Sequence, residues 1–362
     1  MVERAFHKFG QKLLQKSVFP QLKEYLLRKN TPAPISINLD LTSACSNRCD
    51  YCIDKKVLNI GKSLDIQYIK KLVGDWAERG LKSVIVIGGG EPTMHRHFEE
   101  VIKFLKGLSL QVGIVSNGTQ IEKIRNICHL LGRKDWVRFS LDAGRDQTFQ
   151  NLHHPQLKVT LDGILFGAKE IRRENADLQM GYSFLIIGDG RYVNNIKEIN
   201  LAAKSAKEAG FNYFSLKPLI TPDTSRKTEI SQKNLEEIKK EIKEAKKLED
   251  DNFKVVESIN LLCFYDEKMK KLMQKLPKTC HVQHFRSVVN PDGIFACSSW
   301  RGFDNLRVTK DKRAASDFNA KEVCRQVQCI YAPLNCWIEK LIKSPEKIKE
   351  LKSIADIPDF FL

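Results

Sequence analysis

The stretch Cys45-Ser46-Asn47-Arg48-Cys49-Asp50-Tyr51-Cys52 sets three thiols within eight residues, separated by three and then two residues. A loop of that length can bring three thiolates to one metal cluster. No further Cys or His sits close by to act as a fourth ligand. A structural zinc ion takes four protein ligands, often as pairs of closely spaced cysteines, and three cysteines suit it poorly. A cubane [4Fe–4S] cluster held by three cysteines instead keeps one iron with an open position.

Around this loop the chain has a rhythm. Ile35, Ile37, Leu39 and Leu41 alternate as a strand does, and Ile69, Leu72, Val73 and Trp76 mark a helix face. Strands are then expected at Ser83 to Ile87, Gln111 to Ser116, Trp136 to Leu141, Met180 to Ile187 and Tyr213 to Leu219, with a helical pattern between each pair. Six strand–helix units in strict alternation mean a parallel sheet. Alternation alone leaves a doubly wound sheet and a barrel both open. The cysteine loop follows strand one, Gly88-Gly89-Gly90-Glu91-Pro92 follows strand two, Ser116-Asn117-Gly118 ends strand three, and Ser140-Leu141-Asp142 ends strand four. All four therefore fall at the C-terminal edge of one sheet, where such folds build their sites.

The cysteine spacing, with Tyr51 just before the last thiol, resembles the signature of the radical S-adenosylmethionine (SAM) enzymes. That resemblance implies a partial (β/α)6 TIM-like barrel, open on one side to substrate. It implies a [4Fe–4S] cluster on Cys45, Cys49 and Cys52, and SAM chelated at the open iron and cleaved to a 5′-deoxyadenosyl radical. Gly88 to Glu91 is similar to the family's GGE motif: Gly89 and Gly90 let the backbone approach the ligand, and Glu91 suits the SAM amino group. Ser116, Asn117, Ser140 and Asp142 are candidate contacts to the methionyl carboxylate and ribose; each could equally cap a turn or helix. Tyr51 is expected near the adenine.

Five of the ten cysteines lie in residues 276–340. Asn290-Pro291-Asp292-Gly293 reads as a turn between Arg286–Val289 and Ile294–Ala296, a hairpin with Cys280 before it and Cys297 at its far end. This resembles the SPASM and twitch domains of radical SAM enzymes and implies a second, auxiliary [4Fe–4S] cluster. Its ligands would be Cys280, Cys297, Cys329 and Cys336, with Cys324 as the alternative. Four closed thiolates also suit zinc. Cys128 falls on an apolar helix face and reads as buried. Cys263 is a candidate hydrogen-atom donor, although it too looks buried. His153 and His154 follow strand four and either face the substrate or are satisfied elsewhere. Lys217 either meets an acidic group or faces solvent.

The organisation expected is an amphipathic helix over 1–34, a barrel over 35–225, a helical linker over 226–275, an auxiliary-cluster domain over 276–340 and a tail over 341–362. No apolar run is long enough for a transmembrane helix. There is no signal core either, and ten cysteines in metal-binding context point to a reducing cytoplasm. The net charge of +16 is spread over solvated helices such as Lys239–Lys247, without an Arg-rich patch interleaved with aromatics, which argues against nucleic acid and allows an acidic substrate. The leading reading is a radical SAM enzyme that abstracts hydrogen from a C–H bond of a small metabolite or peptide, with oxidation assisted by the auxiliary cluster. It would need an external one-electron reductant such as flavodoxin or ferredoxin. An epimerase with a cysteine hydrogen donor, and a non-catalytic iron–sulfur or zinc scaffold, are the alternatives.

Overall fold

Seven consecutive strands lie side by side in chain order: β1 (Ser36–Asp40), β2 (Ser83–Ile87), β3 (Gln111–Ser116), β4 (Trp136–Ser140), β5 (Gln179–Ile186), β6 (Tyr213–Pro218) and β7 (Lys254–Glu257). All neighbours are parallel, and a helix lies in each crossover. The computed structural model describes residues 9–362 apart from 189, 220–229, 276–278, 299–300, 304–306, 309–328 and 358. The six expected strands form within about a residue of their expected bounds.

Strand alternation sorts the side chains. Ile37, Leu39, Val84, Val86, Val112, Ile114, Val137, Phe139, Met180, Tyr182, Phe214 and Leu216 join the core beneath the helices. Ser36, Asn38, Asp40, Arg138, Ser140, Ser183, Ser215 and Lys217 occupy the alternate positions and face the concave side. The helices fit this layer for local reasons. The first barrel helix, Ile66–Glu78, starts where the Asp65 carboxylate accepts from the amides of Gln67 and Tyr68, and it buries Ile69, Val73 and Trp76.

The sheet extends beyond six strands. The expected hairpin forms as β8 (Arg286–Asn290) and β9 (Gly293–Phe295), and β8 pairs parallel with β1. A short β10 (Arg307–Val308) follows, so the order is β10-β9-β8-β1 and then β2 to β7, an open barrel. The hairpin is thus continuous with the barrel's own sheet.

The N-terminal segment differs from a single helix. It forms Phe9–Leu13 and Phe19–Arg28, with Pro20 opening the second helix. Between them Lys16 N donates to Ile354 O, and Ile354 N to Leu14 O, so the tail interrupts the helix. Leu13, Leu22, Tyr25 and Leu26 pack against Val282, Phe285, Leu334 and Ile338, the last two from the helix Ala332–Ile342. The tail then reaches the N-terminal edge of the strands. There Ser83 Oγ donates to Phe360 O, Phe360 N donates to Gln111 Oε1, and Phe361 meets the Trp136 ring edge-on at 5.4 Å. No helix among the described residues is long and apolar enough to cross a membrane.

Candidate active site

The cysteine loop leaves β1 and crosses the C-terminal mouth of the sheet. Its shape is held by its own backbone. Cys45 N donates to Asn59 Oδ1 at 2.9 Å, Asn59 N to Ser43 O at 2.6 Å, and Cys52 N to Cys49 O at 3.2 Å. One further segment clamps it at two points: Arg48 N donates to His153 O, and Gln156 N to Ser46 O. The thiols of Cys45, Cys49 and Cys52 are free and partly exposed.

Each thiol resists ionisation. Burial and then the charges of Cys52 and Cys45 push Cys49 well up. Burial raises Cys45, and burial with the nearby Asp54 pushes Cys52 up to about 12. A thiolate is the ligating form, so three of them at this mouth call for positive charge between them. Among the described residues no three His, Cys, Asp or Glu side chains gather closely enough to hold a single ion. The charges of Cys45 and Cys52 both act on Cys49, so the three thiols lie near one another, and three cysteines suit a cubane with one open iron better than a four-coordinate structural zinc.

The glycine-rich turn lies directly under this loop. A Cβ on Gly90 would fall within contact of the Ala44 and Thr42 carbonyls, and one on Gly88 would strike the Gly90 carbonyl. Only glycine permits that approach. Glu91 N donates to Ala44 O at 2.8 Å. The buried Glu91 carboxylate takes four bonds from the chain: Oε1 accepts from Thr93 N (3.1 Å), Thr93 Oγ1 (2.8 Å) and Ser116 Oγ (2.8 Å), and Oε2 from Asn117 N (2.6 Å). It ties the ends of β2 and β3 to the cysteine loop, while burial raises its pKa.

Ser116 and Asn117 are likewise engaged with the chain. Ser116 Oγ also accepts from Gly118 N, and Asn117 Nδ2 donates to Ser46 Oγ at 3.1 Å and approaches Cys45 Sγ at 3.8 Å. Asp142, at φ 52°, accepts from Tyr51 Oη (2.9 Å) and Leu185 N (2.7 Å). The Tyr51 ring is thereby turned inward, beside His153 and Tyr192. Ser140 ends β4 on the concave face, half-buried.

His153 is the residue whose place the sequence left open. It is buried, with Nε2 2.8 Å from Leu141 O and Nδ1 3.2 Å from Cys49 Sγ. It therefore backs the cysteine loop rather than facing the lumen. His154 is exposed, 3.6 Å from Asp50. Cys128 is buried near Glu174. Cys263 is buried in the turn after β7, and burial, then Asp266, raises its pKa.

The remaining cysteines are spread around the hairpin base. Cys280 precedes the short helical turn His281–His284, and Val282 N donates to Asn335 Oδ1, next to Cys336. Cys329 N donates to Met273 O, and Cys336 Sγ lies 3.4 Å from Lys275 O. The antiparallel pairing of Phe295 with Val288 returns the chain toward Arg286 as it reaches Cys297. Cys324 lies outside the described residues.

Residues 39–199 match the sequence model of the Radical SAM superfamily. The GTP 3′,8-cyclase of Staphylococcus aureus (strain JH9) is 30% identical over 133 residues, 34% of this chain and 38% of that protein. The chain thus aligns with well under half the length of that curated relative. Among solved structures, Streptococcus suis SuiB bound to S-adenosylmethionine matches with a TM-score of 0.59 at 14% identity, over 85% of this chain and 68% of that one. anSMEcpe with bound AdoMet matches with a TM-score of 0.58 at 14% identity, over 88% and 98%. At these identities the likeness is one of fold, and it extends beyond residues 39–199 into the flanking segments.

Proposed function

We propose, from the match of residues 39–199 to the Radical SAM superfamily, that this chain cleaves SAM reductively and removes hydrogen from a C–H bond of a substrate held in the barrel. The observation that carries the reading is the convergence of three free thiols from one loop at the C-terminal mouth of a parallel half-barrel, above a polar lumen. When cluster and SAM are bound, the chemistry supplied is reductive cleavage of the sulfonium to a 5′-deoxyadenosyl radical.

The chain's part is to hold and orient. Cys45, Cys49 and Cys52 are the ligands, with the Asn117 amide beside the first and His153 behind the second. The backbone of Gly88 to Gly90 offers its polar groups toward SAM, and Glu91 fixes that turn. Ser140 lines the upper lumen, where a ribose would lie. Tyr51 contributes through its backbone, since its hydroxyl is taken by Asp142.

The C-terminal cysteines are assigned to a second [4Fe–4S] cluster held by Cys280, Cys297, Cys329 and Cys336. A fully ligated cluster there would accept an electron from the substrate radical, which makes oxidation the favoured outcome. The reductant for SAM cleavage would be an external one-electron carrier such as flavodoxin or ferredoxin. One SuiB structure is described as bound to the precursor peptide SuiA, so a peptide stands beside a small metabolite as substrate.

The test is anaerobic reconstitution with iron and sulfide, compared with a Cys45→Ala/Cys49→Ala/Cys52→Ala variant. The expected result is about eight irons per chain in the parent, about four in the variant, and 5′-deoxyadenosine formed under strong reductant by the parent alone. Zinc in place of iron, or no cleavage by the parent, would overturn the reading.

A further inference from the structure

The barrel interior holds two cations that the SAM site does not employ. Arg138 stands on the concave face of β4, its guanidinium 5.5 Å over the Trp136 ring. Lys217 stands on the concave face of β6, with Leu185 of β5 opposite it. Both are half-buried and so reachable from the lumen. Neither is ion-paired among the described residues, and Arg138 Nε is buried without a hydrogen-bond partner. Arg286 adds a third charge from β8: it donates to Asn38 Oδ1 at 2.8 Å, and its Nε is also unpartnered.

The nearby carboxylates are committed elsewhere. Asp40 binds Arg301, and Asp142 accepts from Tyr51 and Leu185. Burial, and after it the Arg138 charge, pushes the Lys217 amine well below its ordinary value, with Asp142 offsetting only in part. Recessed charges without partners are costly. Their presence in a concave space is accounted for when a ligand brings the opposite charge.

The lumen also has a floor. The Trp136 ring lies against Gly113 and the Tyr213 ring against Gly181, so close that a Cβ on either glycine would enter the ring. Phe361 closes the space beneath Trp136. Along three neighbouring strands the concave positions ascend in rows: Arg138 stands level with Gly181 and Tyr213, Ser140 with Ser183 and Ser215, and Leu185 with Lys217. At about 3.3 Å of rise per residue, that is about 13 Å of wall. Serine hydroxyls line this concave space, with Arg138 in its lowest row, Lys217 in its upper row and the two charges close enough to act on each other.

We propose that Arg138 and Lys217 form an oxyanion subsite in the barrel, which takes a carboxylate or phosphate group of the substrate and so holds the reacting carbon up toward the cysteine mouth. The orienting role rests on the radical reading above; the anion site itself does not.

The test is calorimetric titration of the reconstituted full chain, without reductant, with inorganic phosphate and separately with succinate. The parent binds at least one. Uptake of phosphate alone assigns a phosphoryl group, and uptake of succinate alone a carboxylate. R138M and K217M each weaken binding about tenfold or more, whereas R138K keeps more of it than R138M. Near-ultraviolet circular dichroism confirms that each variant is folded, and two independent variants guard against loss of either. Absence of uptake of both anions, or uptake equal in parent and folded variants, overturns the proposal. SAM cleavage without anion binding would sink the subsite alone, and anion binding without SAM cleavage would sink the radical reading alone.

Discussion

The Nδ1 atom of His153 lies 3.2 Å from the Sγ of Cys49. Nε2 of the same ring faces the Leu141 carbonyl at 2.8 Å. A carbonyl only accepts, so the proton sits on Nε2 and Nδ1 offers its lone pair to the thiol. Burial lowers the ring's pKa, with the nearby Asp142 carboxylate opposing it. One ring thus joins the end of β4 to the middle of the cysteine loop and packs on Tyr51 and Phe149.

His153→Ala should therefore cost about 2–4 kcal/mol, through a cavity and an unpaired Leu141 carbonyl. Thermal unfolding will show the loss, and a chelator should strip iron faster from the variant after reconstitution. Equal melting temperature and equal iron retention would exclude this role.

Glu91→Gln keeps the volume but places an NH2 where only acceptors fit. Whichever way the amide turns, it confronts a backbone donor, Thr93 N or Asn117 N. A loss of about 2–3 kcal/mol is expected from the mismatched buried groups, measured by urea unfolding, together with weaker binding of SAM. A variant as stable as the parent would show that the carboxylate is not the latch described.

His95 supplies a pH dependence of known sign. Its Nε2 donates to Leu64 O at 2.9 Å and its Nδ1 accepts from His97 N at 3.2 Å, so a second proton would set N–H against N–H. Burial lowers its pKa below the unfolded value near 6.5. The unfolded chain then binds more protons on acidification, and the stability His95 contributes is present above about pH 6.5 and lost as pH falls below it. His95→Gln should flatten the stability profile between about pH 7 and 5, and an identical profile would count against this origin.

What the sequence could disclose follows from the range of each signal. Val84-Ile85-Val86 and Val112 to Val115 are strand-like in any context, and the loops after them carry their own glycines and thiols, so strands and mouth were legible. Partners distant in the chain were not. Period-two alternation says which face Val289 presents, not that β8 lies beside β1, some 250 residues earlier. The residues around Glu91 suggest a partner for an ammonium, but they could not reveal that Ser116 and Asn117 also donate to its carboxylate. The N-terminal segment reads as one helix over 1–34 because its interruption is tied to Ile354, at the other end of the chain.

Arg301 joins the C-terminal segment to the cysteine loop. Its guanidinium forms a buried pair with both oxygens of Asp40, at the end of β1, and reaches Asp54, two residues past Cys52, at 3.4 Å. Its Nη1 also donates to Ser298 O at 3.0 Å. Arg301→Met leaves the buried Asp40 and the partly exposed Asp54 without their counter-charge, which should cost about 3–5 kcal/mol, mostly at Asp40. Adding Asp40→Asn removes one of those charges, so the double variant should be more stable than the sum of the single losses implies, by about 1–3 kcal/mol. Urea unfolding of the four proteins closes the cycle. Strict additivity would show that Arg301 and Asp40 act independently. Coupling of the expected size would mean that the hairpin segment and the cysteine loop are stabilised as one unit, and Arg301→Met should then also lower the iron retained at Cys45, Cys49 and Cys52.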